Sequence, residues 1–131
     1  MFFAKDKIKN LTNEQIKLIL RKSLCFCVEE LGDNKRKFPP KILLMDKHER
    51  KKYCGMYDPY ENIIFVYTDS CKTISSLTST IIHEYTHYLQ PILSKYAKLL
   101  NKHGYEDHPH EIEAYANEKK FNRKLLNYLR K

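Results

Sequence analysis

The chain has 131 residues and a net charge of +8, with 24 lysines and arginines against 16 aspartates and glutamates. A hydrophobic content of 42% and a charged content of 31% are typical of one globular domain with its own core. No apolar run approaches the roughly 20 residues of a membrane-spanning helix, and the first residues lack the apolar core of a signal peptide. We therefore expect an intracellular protein with no membrane span. A single domain should cover residues 1–131, with 1–10 as a loose basic lead-in.

The positive charge is spread along the chain, which favours a solvated lysine-rich surface. Binding to nucleic acid stays open on charge alone, without support from a helix-turn-helix, a zinc finger or an aromatic RNA-binding string. The cysteines form no C-x-x-C pair, so we expect reduced thiols and not a cysteine zinc site. A monomer is the default expectation. The cysteines are Cys25, Cys27, Cys54 and Cys71.

The first half of the chain is predicted to form one helix, followed by three short strands. Thr12 to Gln15 reads as a capping box, and apolar residues at helical spacing follow it as far as Gly32. Apolar and β-branched runs after that helix predict three strands, of which the second and third form a hairpin. Gly55 within the second strand is expected to mark a bulge or bend. The predicted strands are Lys41–Asp46, Tyr53–Tyr57 and Ile63–Tyr67.

The second half is predicted to be helical. One helix covers Thr73–Gln90 and must kink or break at Pro91, which has no N–H to donate. A further helical segment is expected over Ile92–Leu100, and a last helix over Glu111–Leu129. This order predicts an α+β domain in which a small sheet packs against helices.

The string His83-Glu84-Tyr85-Thr86-His87 is the strongest functional signal. Residues four apart on a helix point the same way, so both imidazoles can bind one Zn²⁺. Glu84 lies about 100° from His83 around the helix, where it can address a water on the metal without binding the metal. The pattern predicts a zinc hydrolase.

A catalytic zinc site needs a third protein ligand, and the start of the last helix offers glutamates and histidines. The H-E-x-x-H string, followed by Glu113-Ala114-Tyr115-Ala116-Asn117 as E-x-x-A-N, resembles the gluzincin metallopeptidases, in particular the small ImmA/IrrE-like and minigluzincin branch. The resemblance implies Glu113 as the third zinc ligand and Asn117 as a hydrogen-bond partner of a zinc histidine. It also implies a zincin-like fold in which the strand nearest the cleft binds substrate backbone.

Other third ligands remain open. Glu111 lies two residues before Glu113, so only one of the two can face the metal on a helix. A histidine is the other alternative, as in SprT-like proteases. The candidates are His103, His108 and His110.

The expected activity is hydrolysis of peptide bonds in intracellular protein targets, with Zn²⁺ as cofactor and Glu84 as general base. The resemblance suggests regulatory or processing cleavage, and the Lys-, Asn- and Ile-rich composition suits a phage or mobile-element source. The alternatives are a zinc-binding interaction domain with weak hydrolysis and a SprT-like DNA-associated protease. Donors near the glutamate segment could stabilise the oxyanion. They are Tyr105, His108, His110 and Tyr115.

Overall fold

A computed structural model of the chain describes residues 2–35, 37–45, 54–91, 93–105 and 108–131. It confirms the predicted α+β architecture, with a three-stranded sheet and four α-helices. Within the described residues, no helix is both long enough and apolar enough to cross a bilayer. The elements are a 3-10 helix Ile8–Asn10, α1 Asn13–Leu31, β1 Lys41–Met45, β2 Gly55–Asp58, β3 Ile63–Tyr67, α2 Ile74–Leu89, α3 Leu93–His103 and α4 Pro109–Leu129.

Helix α1 begins and ends where the sequence predicts. The Gln15 N–H donates to Thr12 Oγ1 over 3.1 Å, and the Thr12 N–H donates to Gln15 Oε1 over 2.9 Å, which completes the capping box. Gly32 ends the helix with a φ of +83°, a conformation that glycine adopts without steric cost. The buried face of α1 includes Ile16 and Ile19, both of which belong to the core.

The sheet has the strand order β1-β3-β2. The predicted hairpin is confirmed, because β2 and β3 pair antiparallel, whereas β1 pairs parallel with β3. Asp58 accepts hydrogen bonds from the Tyr60 and Glu61 N–H groups and so stabilises the hairpin turn. The third predicted strand has the observed bounds. Asp46 and Tyr53, the predicted ends of the other two strands, lie outside the described residues.

Gly55 does not form a bulge, contrary to expectation, but pairs in register with Val66. A Cβ at this position would lie 2.6 Å from Thr80 Cγ2 and 2.8 Å from the Phe65 carbonyl oxygen. Real Cβ contacts are never this short, so the glycine lets β2 approach α2 closely. This approach brings β2 against the helix that carries the H-E-x-x-H string.

Within residues 2–10 the N-terminal segment packs on the rest of the fold, which corrects the expectation of a loose lead-in. Ile8 is buried in the core, and Lys7 forms a β-bridge with Thr73. The Ile74 N–H donates to the Asp6 carbonyl, and the Ser75 N–H donates to the Ala4 carbonyl, each over 3.0 Å. The segment therefore accepts hydrogen bonds from the first N–H groups of α2, which no residue inside the helix can accept.

Helix α2 runs through the centre of the fold and is buried on most sides. Ile81, Ile82 and Tyr85 are fully buried, in one core with Ile64 of β3 and Leu125 of α4. A helix that packs against a sheet on one side and helices on the other is expected to be apolar almost all round. The helix ends at Leu89 and Gln90 caps it, one residue short of the predicted end, immediately before Pro91. Side chains on its last turns therefore have fixed positions in a packed environment.

Candidate metal centre

Helix α2 places the two histidines of the H-E-x-x-H string side by side. The ring centroids of His83 and His87 are 5.0 Å apart, as the i, i+4 spacing predicts. The His83 residue is 8% exposed, and His87 is partly buried. The two imidazoles therefore share one small, mostly dry volume beside α4.

Glu111, in the first turn of α4, completes the cluster. Glu111 is only 3% exposed. A glutamate is rarely buried to this extent unless it has a charged partner. Glu111 Oε1 lies 3.0 Å from His83 Nε2, and Oε2 lies 3.1 Å from His87 Nε2. One ligand atom from each of these three residues lies within 4.8 Å of the others, so the group could hold a metal ion.

The third member of the cluster corrects the sequence prediction, which favoured Glu113. Glu113 is exposed, and its Oε1 accepts a hydrogen bond from Gln90 Nε2 over 2.8 Å. The reason is the rotation of α4. Residues two apart on a helix differ by about 200°, so Glu113 faces away when Glu111 faces α2. Among the described residues, neither Glu113 nor any of His103, His108 and His110 belongs to the metal-ligand group.

A second ring of contacts fixes both imidazoles. His83 Nδ1 lies 2.7 Å from Glu118 Oε2, and His87 Nδ1 lies 2.7 Å from Gln90 Oε1. The Gln90 amide has a determined orientation, because its Nε2 donates to the His110 carbonyl and to Glu113. Both Nδ1 atoms therefore carry hydrogen, and both Nε2 atoms point at the Glu111 carboxylate.

The electrostatics of the cluster require positive charge at its centre. Neutral Nε2 atoms would direct lone pairs at carboxylate oxygens, which is repulsive unless a proton or a cation lies between them. Burial alone would lower the pKa of His83, but hydrogen bonds to Glu111 and Glu118 outweigh it and raise that pKa to about 10. Burial would raise the pKa of Glu111, but its hydrogen bonds to His83 and His87 lower it to about 2. The two imidazoles, the carboxylate and their fixed Nδ1 hydrogens fit a divalent cation.

Glu84 lies beside the cluster and is tied to the sheet. Its Oε1 accepts a hydrogen bond from the Tyr57 N–H of β2 over 3.0 Å. Burial raises the pKa of Glu84, although His87 and His83 oppose the increase. The carboxylate is thus oriented by β2 and favoured as a proton acceptor by its surroundings.

The predicted hydrogen-bond partner of a zinc histidine and the predicted oxyanion candidates differ in their contacts and in their exposure. Asn117 Nδ2 donates to Thr86 Oγ1 over 3.1 Å, so it contacts the turn between the histidines and not an imidazole, which corrects the predicted partner. Of the oxyanion candidates, Tyr115 packs its half-exposed ring edge-on against His83, with centroids 4.7 Å apart. His108 is fully buried and accepts from the His110 N–H as the N-cap of α4. Tyr105 is exposed.

Two contributing residues escaped the sequence-based prediction, Glu118 and Gln90, which contact the histidines, and Glu111 was predicted only as an alternative to Glu113. A sequence signal for Glu111 and Glu118 was present. Glu111, Ala114, Glu118, Phe121 and Leu125 follow one another at intervals of three and four, which defines the buried face of α4. Gln90 had no periodic signal, because it lies in the cap after α2, where its backbone is already extended.

Comparison of the chain with protein-family models, with curated proteins and with solved structures gave no significant match.

Proposed function

We propose that the protein is a zinc-dependent peptidase. The observation that supports this most is the convergence of His83, His87 and Glu111. Glu84 is near enough for the charges of all three to influence its pKa. Two imidazoles and one carboxylate form a ligand set of catalytic zinc, which keeps a further position for water or substrate. A glutamate next to the first histidine is the usual proton acceptor of such sites.

The roles in this proposal follow from the contacts of each residue. His83, His87 and Glu111 would hold the zinc, with Glu118 and Gln90 keeping the imidazoles in the correct tautomer. Bound there, zinc would polarise the scissile carbonyl and make an attacking water more acidic. Glu84 would accept the proton of that water and transfer it to the leaving amine, a role that suits a carboxylate with a raised pKa.

The neighbouring strand supports a peptide substrate. Within the described sheet, β2 is an edge strand, and its Tyr57 N–H contacts the proposed base. An extended peptide can pair with such an edge through backbone hydrogen bonds, which places its carbonyls next to α2. We therefore propose an intracellular protein or peptide as substrate, bound in extended form along β2.

The test compares Glu84→Gln with His83→Ala in zinc-loaded protein. Glu84→Gln should retain zinc and lose turnover by about 10²–10⁴-fold, because only proton transfer is removed. His83→Ala should lose both zinc and turnover. Elemental analysis measures the metal, and mass spectrometry of a peptide library measures cleavage.

Each contrary result is informative. Near wild-type turnover in Glu84→Gln would remove the general-base assignment. Undiminished zinc in His83→Ala would refute the metal site. Zinc binding without cleavage of any peptide by the wild-type protein would refute the peptidase proposal and favour a zinc-binding interaction domain.

A further inference from the structure

Two cysteines lie together at the base of the hairpin, apart from the metal cluster. Cys54 directly precedes β2, and Cys71 lies between β3 and α2. The Cys71 thiol donates to the Cys54 carbonyl oxygen over 3.4 Å, and the Cys54 thiol donates to the Ser70 carbonyl oxygen over 3.4 Å. Cys71 Sγ therefore contacts the backbone of Cys54, and Cys54 Sγ contacts the backbone of the residue that precedes Cys71.

Both sulfurs pack on one turn of α2. Cys54 Sγ lies 3.6 Å from Ser76 Oγ, and Cys71 Sγ lies 3.9 Å from Thr80 Oγ1. The two hydroxyls are four residues apart and share a face of the helix. The Thr80 hydroxyl donates to the Ser76 carbonyl oxygen, so it accepts from the Cys71 thiol, whereas the Ser76 hydroxyl can donate to Cys54 Sγ and stabilise its thiolate.

The two thiols differ in accessibility. Cys54 is partly exposed, whereas Cys71 is completely buried. Redox-active pairs have this arrangement, in which an accessible cysteine reacts first and a sheltered neighbour then resolves the product. The side chain of Cys71 lowers the pKa of Cys54 and outweighs burial, which favours Cys54 as the thiol that reacts first.

We propose that Cys54 and Cys71 form a reversible disulfide on exposure to a low-molecular-weight disulfide such as oxidised glutathione. This inference is independent of the proposed peptidase activity and of zinc. The bond would join the start of β2 to the segment leading into α2. It would thereby restrain β2, the strand in which the Tyr57 N–H donates a hydrogen bond to Glu84.

The reaction balances in two exchange steps. The Cys54 thiolate attacks one sulfur of oxidised glutathione, which forms a mixed disulfide and releases one glutathione thiolate that takes up a proton. Cys71 then attacks Cys54 Sγ and expels the second glutathione, which takes the proton from the Cys71 thiol. Two protein thiols are oxidised to one disulfide, and one glutathione disulfide is reduced to two thiols.

The experiment treats the full chain with a glutathione redox buffer, blocks remaining thiols with an alkylating agent and maps the peptides by mass spectrometry. We expect a Cys54–Cys71 disulfide that a phosphine reductant reverses, with Cys25 alkylated as the exposed internal reference. The oxidised protein should also melt at a higher temperature than the reduced protein, because the bond restricts the unfolded chain.

Matched variants separate the two steps. Cys71→Ser should accumulate a stable mixed disulfide on Cys54, whereas Cys25→Ser should oxidise like the wild type. The inference is overturned if wild-type Cys54 keeps glutathione without linking to Cys71. It is equally overturned if Cys25 is modified while Cys54 remains reduced. The wild-type result decides even if a variant fails to fold.

Discussion

Glu111 and Glu113 lie two residues apart, and only Glu111 turns towards the histidines. Glu111→Gln should weaken zinc binding by more than the roughly 10–100-fold that outer partners of a metal site contribute, because it removes a charged ligand. Glu113→Gln is the matched control, since its amide oxygen can still accept from Gln90. Competition with a chromophoric chelator measures both affinities. Equal losses in the two variants would contradict the assignment.

Glu118 contacts His83 from the side opposite Glu111. Glu118→Gln keeps an oxygen near Nδ1 but removes the negative charge that increases the basicity of the imidazole. We expect zinc affinity to fall by about 10–100-fold while the free energy of unfolding of the zinc-free protein changes less. The exposed Glu30→Gln on α1 is the control. Unchanged affinity in Glu118→Gln would show that the negative charge of Glu118 does not strengthen zinc binding at His83.

For single residues, the sequence could predict that His83 and His87 lie side by side, because their spacing within one helix is independent of the rest of the fold. The third member of the cluster depends on how α4 is rotated against α2. Phe121 and Leu125 set that rotation by burying one face of α4, and Glu111 shares the face. The motif resemblance pointed to Glu113, and the helical phase of the apolar residues outweighs it.

Among the elements, β2 approaches α2 so closely that only glycine fits at position 55. Gly55→Ala should lower the free energy of unfolding by about 1–3 kcal/mol, as overpacking does, since the Phe65 carbonyl cannot move cheaply. The displaced strand should also weaken the bond from Tyr57 to Glu84 and reduce any turnover. Chemical denaturation and a cleavage assay measure the two effects.

Thr12→Ala separates a local effect from general destabilisation. It removes the α1 capping box, far along the chain from β2, and should cost about 1 kcal/mol. Turnover should survive in Thr12→Ala and fall in Gly55→Ala. A wild-type unfolding free energy in Gly55→Ala would mean that the strand adjusts without strain.

The helices and strands themselves were predictable, since capping residues, Gly32, Pro91 and the β-branched run of β3 are local signals. The docking of the N-terminal segment on α2 was not, because it depends on backbone hydrogen bonds between residues distant in sequence, such as Asp6 and Ile74. The parallel pairing of β1 with β3 is similarly nonlocal.

For the whole molecule, the proposed zinc site predicts that stability depends on pH in opposite directions with and without bound zinc. In the zinc-free protein the folded-state pKa of His83 is about 10, raised from 6.5. Its contribution to stability is therefore complete below pH 6.5 and is lost as the pH rises through 10. The pKa of Glu111 is about 2, lowered from 4.5, so its contribution is complete above pH 4.5 and is lost as the pH falls through 2.

Zinc needs unprotonated Nε2 atoms, so its binding releases protons and strengthens as the pH rises. The difference in melting temperature between zinc-loaded and chelator-treated protein should therefore grow from about pH 6 to about pH 9. Thermal unfolding monitored by fluorescence measures it. A difference that is constant or shrinks over this range would contradict proton–metal competition at His83 and His87.

The Gln90 side chain joins the point where the chain leaves the candidate site to the point where it returns, at the His110 carbonyl. The end of α2 and the start of α4 are therefore adjacent in space. Doubling the length of a flexible connection between two such points adds only about 0.6 kcal/mol of closure entropy. A foreign segment, for example a targeting module, could therefore be inserted between α2 and α4. The hydrogen bond from Gln90 to the His110 carbonyl would still hold the two helices together.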